Sequence, residues 1–247
     1  MDESVEEKSF EPGSARFGNF INYYSFNPPN CRLDQIPPTL LHDCFPDISK
    51  DTGLVALDIG CNSGSLTVAM YEHLTANHQV PLDQFHILAC DLDPVLIERA
   101  QETTKYPHNI QYVTLDIMKH ALAEEVMESF IKKYSKSKLD ITFCFSITMW
   151  IHLQNGDDGL KRFLKEVALR TQYLLIEPQP WKCYKSAMRR VRKLDCDDFV
   201  HFKNLKLRNQ VEEEINNFLK YQCSMEVMAQ FGSTRWKRKL TLYRNKR

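Results

Sequence analysis

Apolar and polar positions change rhythm along this chain. Residues 1–16 are acidic and poor in large apolar side chains, which predicts a disordered acidic tail. Residues 17–50 crowd Phe17, Phe20, Tyr23, Tyr24 and Phe26 against Pro28, Pro29, Pro37 and Pro38. Proline breaks a helix from within, so this aromatic stretch is predicted to wrap on a domain as loops and short turns. From residue 54 short apolar runs alternate with segments of helical composition. Leu54–Ile59, Phe85–Cys90, Ile110–Leu115, Leu139–Phe145 and Tyr173–Ile176 read as buried strands. Helices fit Ser65–Ala76, about 94–104, about 119–134, Asp157–Arg170, about 183–193 and about 209–221. Asp93 suits an N-cap, with Pro94 at the first helical position. Two last strands fit Met225–Phe231 and Leu240–Tyr243.

This alternation predicts an α/β, Rossmann-like domain over 17–247, with a mostly parallel seven-stranded sheet and helices on both faces. Ligands of such sheets bind beyond the carboxyl ends of the strands, so the residues that follow strands carry the chemistry.

Composition narrows the picture. Apolar residues make up 43% of the chain, enough for a packed core. The longest near-apolar stretch, Ile141–Leu153, is shorter than the roughly 20 residues a membrane helix needs, and no membrane partner is expected. The eight cysteines include no Cys-x-x-Cys pair and no cluster at zinc spacing. That pattern predicts reduced thiols, no metal, and a cytoplasmic or nuclear protein. No apolar heptad or spare strand stands out, so a monomer is expected. The 32 basic and 32 acidic residues balance, but residues 182–247 hold 17 Lys+Arg against 7 Asp+Glu. A basic C-terminal quarter sets up a field for an anionic partner; the alternative is a set of solvated helix faces.

Asp58-Ile-Gly60-Cys-Asn62-Ser-Gly64 follows the first strand and opens a helix. Asp91 closes the second strand, where a carboxylate can accept both hydroxyls of a ribose. Asp116 follows the third, within reach of an adenine edge. The glycine run lacks the Gly-x-Gly-x-x-Gly layout that seats a pyrophosphate. An adenosine cofactor without a pyrophosphate fits better, and S-adenosylmethionine is one. Over roughly 54–177 the sequence resembles the class I S-adenosylmethionine-dependent methyltransferases, with Asn62 standing where their loop usually has its middle glycine.

Two further strings follow strands four and five: Trp150-Ile-His152-Leu and Glu177-Pro-Gln179-Pro-Trp181-Lys182-Cys-Tyr184. With Gly18-Asn-Phe, Tyr23-Tyr24 and Arg32, they resemble the bicoid-interacting protein 3 methyltransferase family over nearly all of 17–247. Within it the chain is similar to the branch acting on RNA 5′-monophosphate ends; the branch that caps triphosphate ends tends to carry Lys where this chain has Met149. The resemblance implies O-methylation of the 5′-monophosphate of small RNAs, histidine tRNA and microRNA precursors among them, with S-adenosylmethionine as cofactor. It implies a cofactor set of Arg32, Asp58, Gly60, Asn62, Asp91, Asp116, Ile117 and Phe145. His152, Gln179, Lys182 and Tyr184 are candidates to grip the phosphate. Tyr23, Tyr24 and Trp181 are candidates to stack on the first base, and Arg189, Arg190, Arg192 and Lys193 to hold the RNA body. Packing is the alternative role for Tyr23, Tyr24 and Trp150, and a satisfied buried histidine for His152. A capping enzyme for triphosphate ends, a small-molecule methyltransferase and an idle RNA-binding module remain as rival functions.

Overall fold

The computed structural model describes residues 16–46, 53–76, 81–234 and 236–247. Nearly all of the acidic tail, and Arg235, lie outside the described residues. The strands are β1 (Leu54–Ile59), β2 (Phe85–Asp91), β3 (Ile110–Thr114), β4 (Leu139–Phe145), β5 (Thr171–Glu177), β6 (Met225–Ser233) and β7 (Lys239–Asn245). They form one sheet in the order β3-β2-β1-β4-β5-β7-β6. The first five run parallel, and β7 lies antiparallel to both its neighbours.

Three short helices make up the aromatic wrap: α1 (Tyr23–Phe26), α2 (Asn30–Leu33) and α3 (Leu40–Cys44). The sheet is then crossed by α4 (Ser65–Thr75), α5 (Pro94–Thr103), α6 (His120–Lys133), α7 (Thr148–Arg170), α8 (Trp181–Lys193) and α9 (Val211–Gln222). β1 shows why its strand is apolar throughout. Leu54 and Ala56 pack on one face with Leu66, Met70 and Tyr71 of α4. Val55, Leu57 and Ile59 pack on the other, in the cluster that holds Phe130, Leu160, Tyr184 and Ile215. A strand covered on both faces buries successive side chains, so it loses the polar alternation of a half-solvated one.

Two expected boundaries are corrected. The helix expected at Asp157 begins at Thr148 and runs through a non-helical Gly156 with φ 69°. Asn155 and Gly156, just before Asp157, are poor helix formers, but burial of Ile151 and Leu153 overrides that local preference. The basic helix begins at Trp181 itself, directly after Pro180 in extended conformation, so Trp181 is a helical residue and not part of a loop.

Chain direction sets where a site can form. From β1 the chain moves outward through β2 and β3, then returns to β4 and moves the other way. The segments that leave the carboxyl ends of β1 and β4 therefore run to opposite sides of the sheet, which leaves a crevice at that switch point.

Candidate active site

A cleft of about 1540 Å³ opens at the switch point. Its walls come from the wrap, the ends of β1 to β4, the start of α7, α8 and the β6–β7 loop.

The β1 loop explains its own sequence. Gly60 has φ 78°, and a Cβ there would stand 2.3 Å from Ile147 Cγ2. Asn62 has φ 52°, a left-handed conformation that asparagine tolerates better than most residues. Its side chain also does what glycine cannot: Asn62 Nδ2 donates to the Phe20 carbonyl at 3.1 Å and ties the wrap to the loop.

Asp91 Oδ2 accepts the Asn62 N–H at 2.9 Å, and Oδ1 accepts the Asp93 N–H at 3.1 Å. Each carboxylate oxygen keeps a lone pair for a further donor. Asp58 accepts from the Thr67 hydroxyl at 2.6 Å. Burial pushes both carboxyls up to about 6, opposed by the Thr67 bond at Asp58 and by the backbone donors at Asp91. Asp116 Oδ1 accepts the Met118 N–H at 2.9 Å, and Asp116, Ile117 and Phe145 line the cleft.

Arg32 is fully buried. Its Nε and Nη2 meet Glu177 Oε2 at 3.0 and 2.8 Å, and Nη2 also lies 2.9 Å from the Tyr23 and Ser146 hydroxyls. Ser146, with φ 57°, donates to Glu177 Oε2 at 2.5 Å. Arg32 Nη1 is buried without a hydrogen-bond partner. A buried unpaired donor costs roughly 1–3 kcal/mol, so Nη1 calls for an acceptor from outside the chain. The carboxylate of a methionine moiety would satisfy it. With Asp91 placed for a ribose, these donors and acceptors fit S-adenosylmethionine.

Lys182, Cys183, Ser186, Arg189 and Arg190 put one face of α8 on the cleft. Arg190 lies over the Phe20 ring, 4.8 Å from its centroid. Tyr23 and Tyr24 line the same space, edge to face with each other, and the Tyr24 hydroxyl donates to the Cys61 carbonyl at 3.2 Å.

Several expected contacts are corrected. Arg192 and Lys193 are not among the residues lining the cleft, and Arg192 forms a two-pronged pair with Asp198 at 2.7 Å on each arm. Trp181 stacks on Phe202 and packs on Tyr184, so its faces are taken by the core and not by a base. His152 and Tyr184 also lie off the cleft. His152 Nδ1 meets the Tyr184 hydroxyl at 3.0 Å, and Nε2 meets Asp157 Oδ1 at 2.8 Å. Burial lowers the His152 pKa, against the pull of Asp157, which favours a neutral ring. Gln179 reaches the cleft, but Oε1 accepts from Thr148 Oγ1 and the Met149 N–H at 3.0 Å each, while Nε2 donates to the Ser146 carbonyl. Its amide holds the start of α7 and leaves little for a phosphate.

The cleft also holds residues to which the sequence assigned no role: Phe20, Ser146 and Trp236 among them. The sequence offered a signal for one, since Phe20 belongs to the Gly18-Asn-Phe string.

Residues 139–245 match the family described as Bicoid-interacting protein 3 (Bin3). The chain is 44% identical over 250 residues to the RNA 5′-monophosphate methyltransferase of Bos taurus, covering 98% of this chain and 86% of that protein. It is 44% identical over 252 residues to the pre-miRNA 5′-monophosphate methyltransferase of Xenopus laevis, covering 100% and 99%. In structure it is similar to magnesium protoporphyrin IX methyltransferase from Synechocystis with bound SAM, at a TM-score of 0.56 and 14% identity, covering 98% of this chain and 95% of that one. At that identity the likeness is one of fold, the Rossmann-like fold of class I methyltransferases.

Proposed function

The chain belongs to the Bicoid-interacting protein 3 family, and from that premise we propose that it transfers a methyl group from S-adenosylmethionine to an oxygen of the 5′-monophosphate of RNA. One observation carries the reading: a single cleft is acidic at the ends of β1 to β3 and cationic along α8. Asp58, Asp91 and Asp116 suit the hydroxyls and amine of an adenosine. Lys182, Arg189 and Arg190 suit a nucleic-acid backbone. At about 1540 Å³ the cleft exceeds the roughly 300–1,000 Å³ of a site for one small ligand, so two reactants fit.

When bound, the cofactor supplies an electrophilic methyl group on a sulfonium. Asp91 takes the ribose, Asp116 the adenine edge, and Arg32 Nη1 the methionine carboxylate. Asp58, Gly60, Asn62, Ile117 and Phe145 complete that half. A phosphate monoester has its second pKa near about 6, so it is largely a dianion at neutral pH and already a nucleophile. The reaction therefore needs no protein base, which agrees with the position of His152 away from the cleft. What the chain supplies is alignment of the two reactants. Tyr23 and Tyr24 flank the first nucleotide, and Met149, which lines the cleft, adds no charge for a longer phosphate chain.

The substrates are small RNAs, microRNA precursors and histidine tRNA among them, and the enzyme acts as a monomer in the cytoplasm. Its eight cysteines, all unpaired, suit that reducing compartment. The test is label transfer from S-adenosylmethionine to one short RNA bearing a 5′-hydroxyl, monophosphate or triphosphate. Monophosphate should be methylated fastest and 5′-hydroxyl not at all; equal or faster turnover on triphosphate would move the chain to the capping branch.

A further inference from the structure

We infer that Arg238, carried on the β6–β7 loop, is the residue that grips the terminal phosphate, with Ser146 as its anchor. The inference deepens the proposed RNA methyl transfer and rests on it.

Arg238 lines the cleft. Its Nη1 donates to Ser146 Oγ at 2.6 Å, and its Nη2 lies 3.6 Å from Cys183 Sγ. Its Nε is buried and without a hydrogen-bond partner. Among the described residues it forms no ion pair, because Glu177, the carboxylate at this hub, is held by Arg32. Arg238 therefore brings to the cleft a donor without an acceptor and a charge with no carboxylate bonded directly to it, Glu177 being reached only through the Ser146 hydroxyl. A phosphate oxygen supplies both.

The cations that α8 brings to the cleft are less suited. Arg190 lies closer over an aromatic ring, 4.8 Å from the Phe20 centroid, than Arg238 does over Trp236 at 5.7 Å, and Arg189 bonds to Lys185 and Ser186 of its own helix. Lys182 sits beside the same loop, its Nζ 3.5 Å from the Trp236 carbonyl, so it can assist as a point charge.

Location strengthens the assignment. Arg238 and Arg32 bond to the same Ser146 oxygen. A methionine carboxylate held by Arg32 and a phosphate held by Arg238 would thereby be brought to neighbouring points. In the transfer a phosphate oxygen lone pair forms the O–C bond, the C–S bond breaks, and its electron pair stays on sulfur; no proton moves. The phosphate passes from dianion to monoanion, so the guanidinium holds substrate more tightly than product.

The experiment compares binding of a 5′-monophosphate RNA and the same RNA with a 5′-hydroxyl, with S-adenosylhomocysteine present. The wild-type protein should prefer the phosphorylated end at least tenfold. Arg238→Ala should lose most of that preference, while affinity for 5′-hydroxyl RNA stays within about threefold. Arg238→Lys keeps the charge but not the fork that holds Ser146 and phosphate together, so it should lose at least threefold; it decides the matter if the alanine variant does not fold. Full preference in a folded Arg238→Ala or Arg238→Lys protein overturns the assignment while methyl transfer by the wild type still stands. A wild-type protein that neither methylates nor distinguishes the phosphate overturns the functional reading as well.

Discussion

At the residue scale, the site depends on carboxylates kept in unfavourable surroundings. Asp58 and Asp91 titrate at about 6, against 3.8 for an ordinary aspartate, because burial penalises their charged forms. Between those two values the folded chain holds protons that the unfolded chain has released. The stability of the ligand-free protein should therefore fall as pH rises through that window, by up to about 1.4 kcal/mol per pH unit for each group. Cofactor affinity should move the other way, because a ribose hydroxyl donates best to an ionised Asp91. Calorimetric titration from pH 5 to 7 should show S-adenosylmethionine binding strengthen. Asp91→Asn should flatten the profile and weaken binding at pH 7 at least tenfold, as expected from losing a charge-assisted hydrogen bond of roughly 1.5–3 kcal/mol. A pH-independent wild-type affinity would remove Asp91 from the ribose site.

At the scale of the element, α8 divides its work by face. Tyr184, Ala187, Met188 and Val191 anchor it in the core. Lys182, Ser186, Arg189 and Arg190 face the cleft, while Arg192 is spent on Asp198 at an exposed position. Arg189→Ala with Arg190→Ala should raise KM for RNA. It should also reduce the salt dependence of binding by about 0.7 to 0.9 log units per log unit of salt for each RNA phosphate left unneutralised. Arg192→Ala with Lys193→Ala should change both much less. Equal effects of the two pairs would mean that the whole cationic surface of α8 attracts RNA without a preferred face. The Asp157–His152–Tyr184 chain ties α8 to both halves of α7 across the kink at Gly156.

At the scale of the whole molecule, the half of the cleft that holds Arg32, Asp91 and Asp116 joins segments distant in sequence. Asn19 of the wrap donates to Asp93 at 2.8 Å, Tyr24 to Cys61, and Arg32 to Glu177. A ligand that touches Arg32, Asp91 and Asp116 at once binds only the assembled fold. At a concentration 100 times its Kd it should add about 2.7 kcal/mol of stability. For a chain of this size that corresponds to a rise in Tm of about 5–10 °C, readable by thermal melting. A shift that survives Arg32→Ala at the same concentration would place the ligand outside this junction.

The sequence by itself determined the order of strands and helices, the strand-end carboxylates Asp58, Asp91 and Asp116, and the turn at Gly60. Each is a local matter. An apolar run bounded by turn residues specifies a buried strand, and the fold places whatever follows that strand at the cleft. It also suggested the family through the Trp150-Ile-His152-Leu and Glu177-Pro-Gln179-Pro-Trp181 strings. Only the tertiary structure decided what those strings do. Trp181 and His152 have the residue types of a binding site, yet Phe202, Tyr184 and Asp157 occupy their faces and nitrogens. Arg238 was one of the 17 basic residues of 182–247 until β7 paired with β5 and set its loop beside Ser146, 92 residues away in sequence. Composition records which groups a chain owns, while burial and pairing across the sheet determine which of them still have a donor or a charge to offer a ligand.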